Sequence, residues 1–155
     1  MKLDIRGEEE IAATQAELWD ALNDPEVLTK CIPGCRSMTE LDPDHYKVEM
    51  QLKVAAVGGS FEGEIALKDK EPPTTCRITV SGAGSLGTGT GEAQFTLVPK
   101  DEATTTLQYA GEGEVGGLVA GVGQRILGSV SKHLIKQFFT ALRKHFAEKT
   151  ETAGA

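Results

Sequence analysis

Gly111-Glu112-Gly113-Glu114-Val115-Gly116-Gly117-Leu118-Val119-Ala120-Gly121-Val122-Gly123, followed by a proline-free run from Gln124 to about Glu148, is the stretch that decides the fold. In that run apolar residues recur at every fourth position, at Ile126, Val130, Leu134, Phe138, Leu142 and Phe146. Leu127, Ile135 and Phe139 widen the stripe. The spacing predicts one long amphipathic helix. About 25 residues at ~1.5 Å each make roughly 37 Å, enough to lie across a whole sheet. The glycines ahead of the helix remove side-chain volume beside Leu118, Val119 and Val122. Small residues next to large apolar ones suit the mouth of a ligand pocket with a moving lid. The competing expectation is a filled core under the helix.

Upstream of this stretch the chain reads mostly as strands. Lys2 to Ile11 is a first strand, with Leu3 and Ile5 on one side. Thr14 and Glu17 form a capping-box pattern that starts a short helix burying Leu18, Trp19 and Leu22. Pro25, suited to a first helical position, opens a second short helix to about Cys31, and Pro33-Gly34 turns the chain. Tyr46, Val48, Met50, Leu52 and Val54 then alternate with Lys47, Glu49, Gln51 and Lys53, a period of two. The run from Val57 to Glu71 repeats it, with Phe61, Ile65 and Leu67 inward and Glu62, Glu64 and Lys68 outward. After Pro72-Pro73 the inward sets are Cys76, Ile78 and Val80, then Ala93, Phe95 and Leu97, then Thr105, Leu107 and Tyr109. The glycine-dense segment Gly82 to Gly91 reads as a bent edge or a hairpin.

Helices grouped apart from consecutive strands predict an α+β layer architecture rather than alternating βαβ units. The expected fold is a curved antiparallel sheet of about six to seven strands around a long C-terminal helix, with two short helices after the first strand. Residues 1–148 form one domain, and 149–155 are expected to be a disordered polar tail.

With 155 residues, a chain of this size can bury roughly 68–70% of its unfolded surface without a disulfide or metal. A net charge of −7 opposes a nucleic-acid groove, which needs a basic face. Met1-Lys2-Leu3-Asp4 does not read as the apolar start expected of a signal peptide, and no stretch approaches the ~18 apolar residues of a membrane span. Three cysteines, Cys31, Cys35 and Cys76, make no even framework, so a reduced cytoplasmic setting is expected.

Two matches to the G-x-G-x-x-G pattern occur, from Gly82 to Gly87 and from Gly111 to Gly116. A dinucleotide site needs strand, tight turn, helix and a further parallel strand. The first match leads into a strand, and no strand follows the helix after the second, where Glu112 and Glu114 would repel a pyrophosphate. Cys31 and Cys35 lack the further ligands of a zinc site and the spacing of a redox pair, so both read as structural thiols. His45, His133 and His145 are scattered, and no nucleophile elbow exists.

This layout resembles the helix-grip fold of the START-like superfamily, and more specifically the G-subunit family of carbon monoxide dehydrogenase. The resemblance rests on Leu18-Trp19 with Leu22-Asn23-Asp24-Pro25, the Cys31-Ile32-Pro33-Gly34-Cys35 turn, Gly63, Gly87-Thr88-Gly89, and the run from Gly116 through Gly121, Gln124 and Arg125 to Leu127. It covers residues 1 to about 147. It implies a non-catalytic accessory protein of a molybdenum-containing carbon monoxide dehydrogenase-type system, with no covalently bound cofactor and a cavity for a quinone or lipid. It further implies a molybdenum hydroxylase as partner and transient contact with the inner face of the cell membrane. An enzyme of cyclase, hydrolase or isomerase type on the same fold, and a cavity-less protein–protein adaptor, are the alternatives.

The expected ligand-binding walls are Met50, Leu52, Phe61, Ile65, Ile78, Val80, Phe95, Leu107 and Tyr109 on the sheet. Ile126, Leu127, Val130 and Leu134 face them from the helix, with Leu118 and Val122 at the gate. The Tyr109 phenol can hydrogen-bond a carbonyl. Arg125 either orients a polar head at the mouth or faces solvent. No catalytic residue and no metal ligand is expected.

Overall fold

The computed structural model describes residues 1–53, 59–85 and 87–154, with side chains to Glu148. Val54 and Val57, read above as strand residues, and Leu86 lie outside the described residues.

Strand β1 (Lys2–Ile11) is followed by helices α1 (Gln15–Leu22) and α2 (Pro25–Cys31). The capping box forms as its pattern requires. Thr14 Oγ1 accepts from the Glu17 amide at 3.2 Å, and the Glu17 carboxylate accepts from the Thr14 amide at 3.1 Å. Pro25 occupies the first turn of α2, and Asp24 caps it by accepting from the Glu26 amide at 2.9 Å. Six strands follow: β2 (Cys35–Asp42), β3 (His45–Leu52), β4 (Gly59–Glu71), β5 (Thr75–Gly84), β6 (Gly87–Pro99) and β7 (Thr105–Gly116). A short 3₁₀ turn, Leu118–Val122, leads into α3 (Gln124–Gly154).

All neighbouring strands are antiparallel, and the order is β1-β7-β6-β5-β4-β3-β2. The chain therefore meanders from β2 to β7, and β1 closes the far edge. Gly82 to Gly91 forms the central β5–β6 hairpin, not an edge. The pattern from Gly111 to Gly116 lies wholly within β7, where the strand ladder engages the backbone and leaves no phosphate-binding turn. α3 is longer than its pattern suggests. It continues through the stretch read as a polar tail.

The sheet's concave face grips α3, and two apolar clusters flank the middle of that grip. The larger gathers Ile11, Leu18, Trp19, Leu22, Leu97 and Leu107 against Phe139, Leu142 and Phe146 of α3. Trp19 and Phe95 pack at 6.0 Å between ring centroids. Thr105, fully buried, donates its hydroxyl proton to the Ala13 carbonyl at 2.8 Å and ties the start of α1 to β7. The smaller cluster, at the other end of the sheet, gathers Val119 and Leu127 with Met1, Leu3, Phe61, Val115, Val122 and Val130. Polar clasps hold the rims. Arg143 of α3 pairs with Glu9 of β1, and Lys30 of α2 with Glu148 at 3.5 Å. Exposed pairs of this kind stabilise little, so apolar burial holds the helix in place.

Candidate functional site

Between the two clusters the packing of the described residues is incomplete. A cavity of about 490 Å³ lies between the concave face and the middle of α3, within the range of small-molecule sites. Val80 decides that this space is open. It stands on the concave face, yet 42% of its surface stays accessible because no described side chain covers it.

The origin of the space is visible in the sheet. Side chains alternate across a strand, so Gly63 of β4, Gly82 of β5 and Gly89 of β6 share the concave face with Phe61, Val80 and Phe95. The register places Gly63 opposite Gly82 and Gly82 opposite Gly89. One row further along, Val80, Gly91 and Gly113 are cross-strand partners. Of these glycines Gly63 and Gly82 border the cavity, where bare backbone takes the place of side chains. The reading of Gly82 to Gly91 as a bent edge or a hairpin does not anticipate this placement.

Nine of the expected wall positions line the cavity: Met50, Phe61, Ile65, Ile78, Val80, Phe95, Leu107, Tyr109 and Leu134. The other seven do not. Leu52 packs beneath the turn after α2, its Cδ2 3.0 Å from where a Cβ on Gly34 would stand. Leu118 is 76% exposed, and Arg125 and Ile126 also face outward. Val122, Leu127 and Val130 belong to the smaller cluster, which shares Phe61 with the cavity lining. Among the described residues, none of the 3₁₀ turn lines the cavity. Half-buried Ile32, Pro33, Met50, Leu134 and Phe138 line the side of the cavity between the end of α2 and the middle of α3.

The sequence reading missed Ile5, Leu22, Leu28, Val48, Ile135 and Phe139 as lining residues, along with the Ile32-Pro33 turn. The signal was partly present. Val48 belongs to the same period-two set as Met50, and Ile135 and Phe139 belong to the helix stripe. Nothing in the sequence tells that α2 packs between the β2 edge of the sheet and α3.

The lining is almost wholly apolar. Glu62, Glu64, Ser81 and Gln94 border it only through the sheet, because their exposed side chains stand on the convex face, where Glu64 meets His45 at 3.3 Å. Among the lining residues, Tyr109 is the one inward side chain with a polar nitrogen or oxygen. Its ring stacks on Phe139 at 5.5 Å and 29°. Its hydroxyl sits over Gly7, where a Cβ would come within 2.5 Å of the oxygen. Burial, followed by the nearby Glu9 carboxylate, pushes the phenol above its ordinary pKa, so it stays protonated and can donate. Burial likewise raises the thiols of Cys31, Cys35 and Cys76 and disfavours reactive thiolates. No group of three or more metal-ligating side chains occurs among the described residues. No described helix is long and apolar enough to cross a membrane.

Comparison with known proteins places this architecture. A conserved protein from Geobacillus kaustophilus has a crystal structure that superposes with a TM-score of 0.92 at 39% identity, covering 94% of this chain and 96% of that one. A START superfamily protein from Mycobacterium smegmatis superposes with a TM-score of 0.75 at 17% identity, over 94% of this chain and 97% of its own. An aromatase/cyclase from a Streptomyces species does so with a TM-score of 0.76 at 13% identity, over 100% and 99%. These last two show the shared fold alone. No curated protein sequence matches the chain. The sequence profile of the carbon monoxide dehydrogenase G-subunit (CoxG) matches residues 7–147, which is nearly all of the folded region. The chain belongs to this CoxG family of carbon monoxide dehydrogenase G-subunits.

Proposed function

We propose that this protein is a non-catalytic carrier that holds an apolar small molecule, a quinone or a lipid, in the cavity under α3. In this reading it serves a molybdenum-containing carbon monoxide dehydrogenase-type enzyme. One observation carries the proposal: a hollow of about 490 Å³ whose inward side chains are hydrocarbon or thioether except for the Tyr109 phenol. Unfilled apolar surface is costly to leave in water, at roughly 25 cal/mol per Å². A ligand that covers Val80, Met50 and Leu134 recovers that energy. The family supports an accessory role. The catalytic alternative needs an inward acid or base with a pKa tuned toward neutrality, and Tyr109 is shifted the other way.

Loading and release take place in this reading at the inner face of the cell membrane, by shallow contact. Exposed Leu118 and Ile126 support that part of the proposal, because a small apolar tip can touch a bilayer without spanning it. Native mass spectrometry of protein purified from its own host tests the carrier reading. The expected result is a non-covalent adduct that disappears on denaturation and appears in the organic extract as a quinone or lipid. Full occupancy by a polar metabolite would overturn it.

A further inference from the structure

The glycines of the concave face differ in what a side chain would meet, and the difference separates structural positions from one that shapes the cavity. A Cβ on Gly63 would stand 2.1 Å from the Ser81 carbonyl oxygen. On Gly84 it would lie 2.6 Å from both Phe61 Cδ1 and the Ser60 carbonyl oxygen, and on Gly111 2.7 Å from Ala93 Cβ. Real Cβ atoms do not approach so closely, so the curvature of the sheet requires glycine there. Gly82 is different. Among the described residues its Cβ would meet nothing nearer than the Glu62 carbonyl oxygen at 3.5 Å, an ordinary contact, and its φ is one that any residue adopts. It lines the cavity beside Val80 and Gly63, with Phe61 and Phe138 also in the lining. Glycine in a strand interior costs stability relative to a residue with a side chain, and at Gly82 neither space nor backbone asks for that cost.

We infer that Gly82 is a specificity-determining position: its missing side chain gives the cavity the width to seat a fused ring against bare backbone, rather than a single alkyl chain alone. The inference rests on the carrier reading and names the shape its site accepts. Phe61 stands on the neighbouring strand one inward row from Gly82, and the other aromatic walls lie farther along, toward the larger cluster. Phe61, Phe95, Phe138, Phe139 and Tyr109 all line the cavity, and rings pack on one another with a preference beyond the area they bury. A β-branched side chain at position 82 would project into the space the ring occupies, whereas a flexible chain can bend around it.

The test uses equilibrium dialysis of the whole protein with two probes, 2-methyl-1,4-naphthoquinone and 1-decanol. Gly82→Val is compared with Gly82→Ala and with Gly89→Val. Gly89 is the cross-strand partner of Gly82, does not line the cavity, and has its nearest heavy atom at 3.9 Å from an added Cβ. Gly82→Val is expected to weaken the naphthoquinone by about tenfold or more, the scale on which pocket shape discriminates. Gly82→Ala should fall between it and the parent, decanol should change by less than about threefold, and Gly89→Val should leave both probes alone. The thermal midpoint of Gly82→Ala checks that the fold is kept. Equal binding of the naphthoquinone by Gly82→Val and the parent overturns the inference, as does a loss of both probes to the same degree. A parent protein that binds neither probe overturns the carrier reading itself, a result distinct from either.

Discussion

The two ends of the sheet are built from different residues and serve different purposes. At one end the turns between strands pass through Pro43-Asp44, Pro72-Pro73 and the residues after Pro99, and α1 packs across the strand ends. There Ile11, Leu18, Leu97 and Leu142 are at most 1% exposed. At the other end the chain passes through Gly59, Gly87, Gly117 and Gly123, all with positive φ. Among the described residues of that end's cluster, only Val119 and Leu127 are buried. The comparison teaches how a domain of this size tolerates a hollow. The packed end supplies the burial that holds the fold, so the middle of the grip can stay unfilled, with glycine floor and aromatic walls. A uniformly packed sheet and helix would be more stable and would have no room for a ligand.

Substitutions that separate the ends should break or sharpen this contrast. The largest effect is expected from Leu142→Ala, which opens a hole in the packed end. It should lower stability by about 2–5 kcal/mol, measured by urea denaturation, and a loss below about 1 kcal/mol would mean that the packed end is not the anchor. Thr105→Val comes next. It keeps the shape but leaves the Ala13 carbonyl without its partner, and the expected cost is about 1–3 kcal/mol. Leu134→Ala, at the cavity, removes a side chain that is only half packed. Its cost should stay near about 1 kcal/mol, well under that of Leu142→Ala, because little burial and no new cavity are at stake. Gly121→Val should change stability least, within about 0.5 kcal/mol. Among the described residues a Cβ there meets nothing within 4 Å, and its φ is ordinary. The same substitution at Gly117 or Gly123, with φ of 83° and 94°, would strain the backbone. Gly121→Val is therefore the cleaner probe of whether the 3₁₀ turn controls ligand uptake.

Much of the fold was legible in the residues. Period-two runs such as Tyr46 to Leu52 marked strands, Thr14 with Glu17 marked a helix start, and a proline-free apolar stripe marked α3. The face of α3 was read less well, for a geometric reason. A line drawn through every fourth residue turns by about 40° per step on a helix of 3.6 residues per turn. From Ile126 to Phe146 it walks roughly 200° around the helix, so both cannot face the sheet. Phe146 is 4% exposed and Ile126 45%. The true buried line changes step, through Leu127, Ile135, Phe139, Leu142 and Phe146. The cavity was half legible. Its walls followed from alternation along the strands. Its floor did not, because a glycine in a sequence shows neither which face of the sheet it occupies nor how close the neighbouring strand runs. Gly63 and Gly82 look alike in the sequence, and only the folded sheet separates the one that must be glycine from the one that leaves room.

The central claim, that the hollow between the two ends is a ligand site, is tested most directly by methyl-detected NMR during titration with 2-methyl-1,4-naphthoquinone. The account predicts saturable shifts of the Val80, Ile78, Met50 and Leu134 methyl signals, with Leu18 and Leu142 in the packed end unmoved. Shifts confined to Leu118 and Ile126 on the surface, or no saturable shift at any cavity methyl, would contradict it.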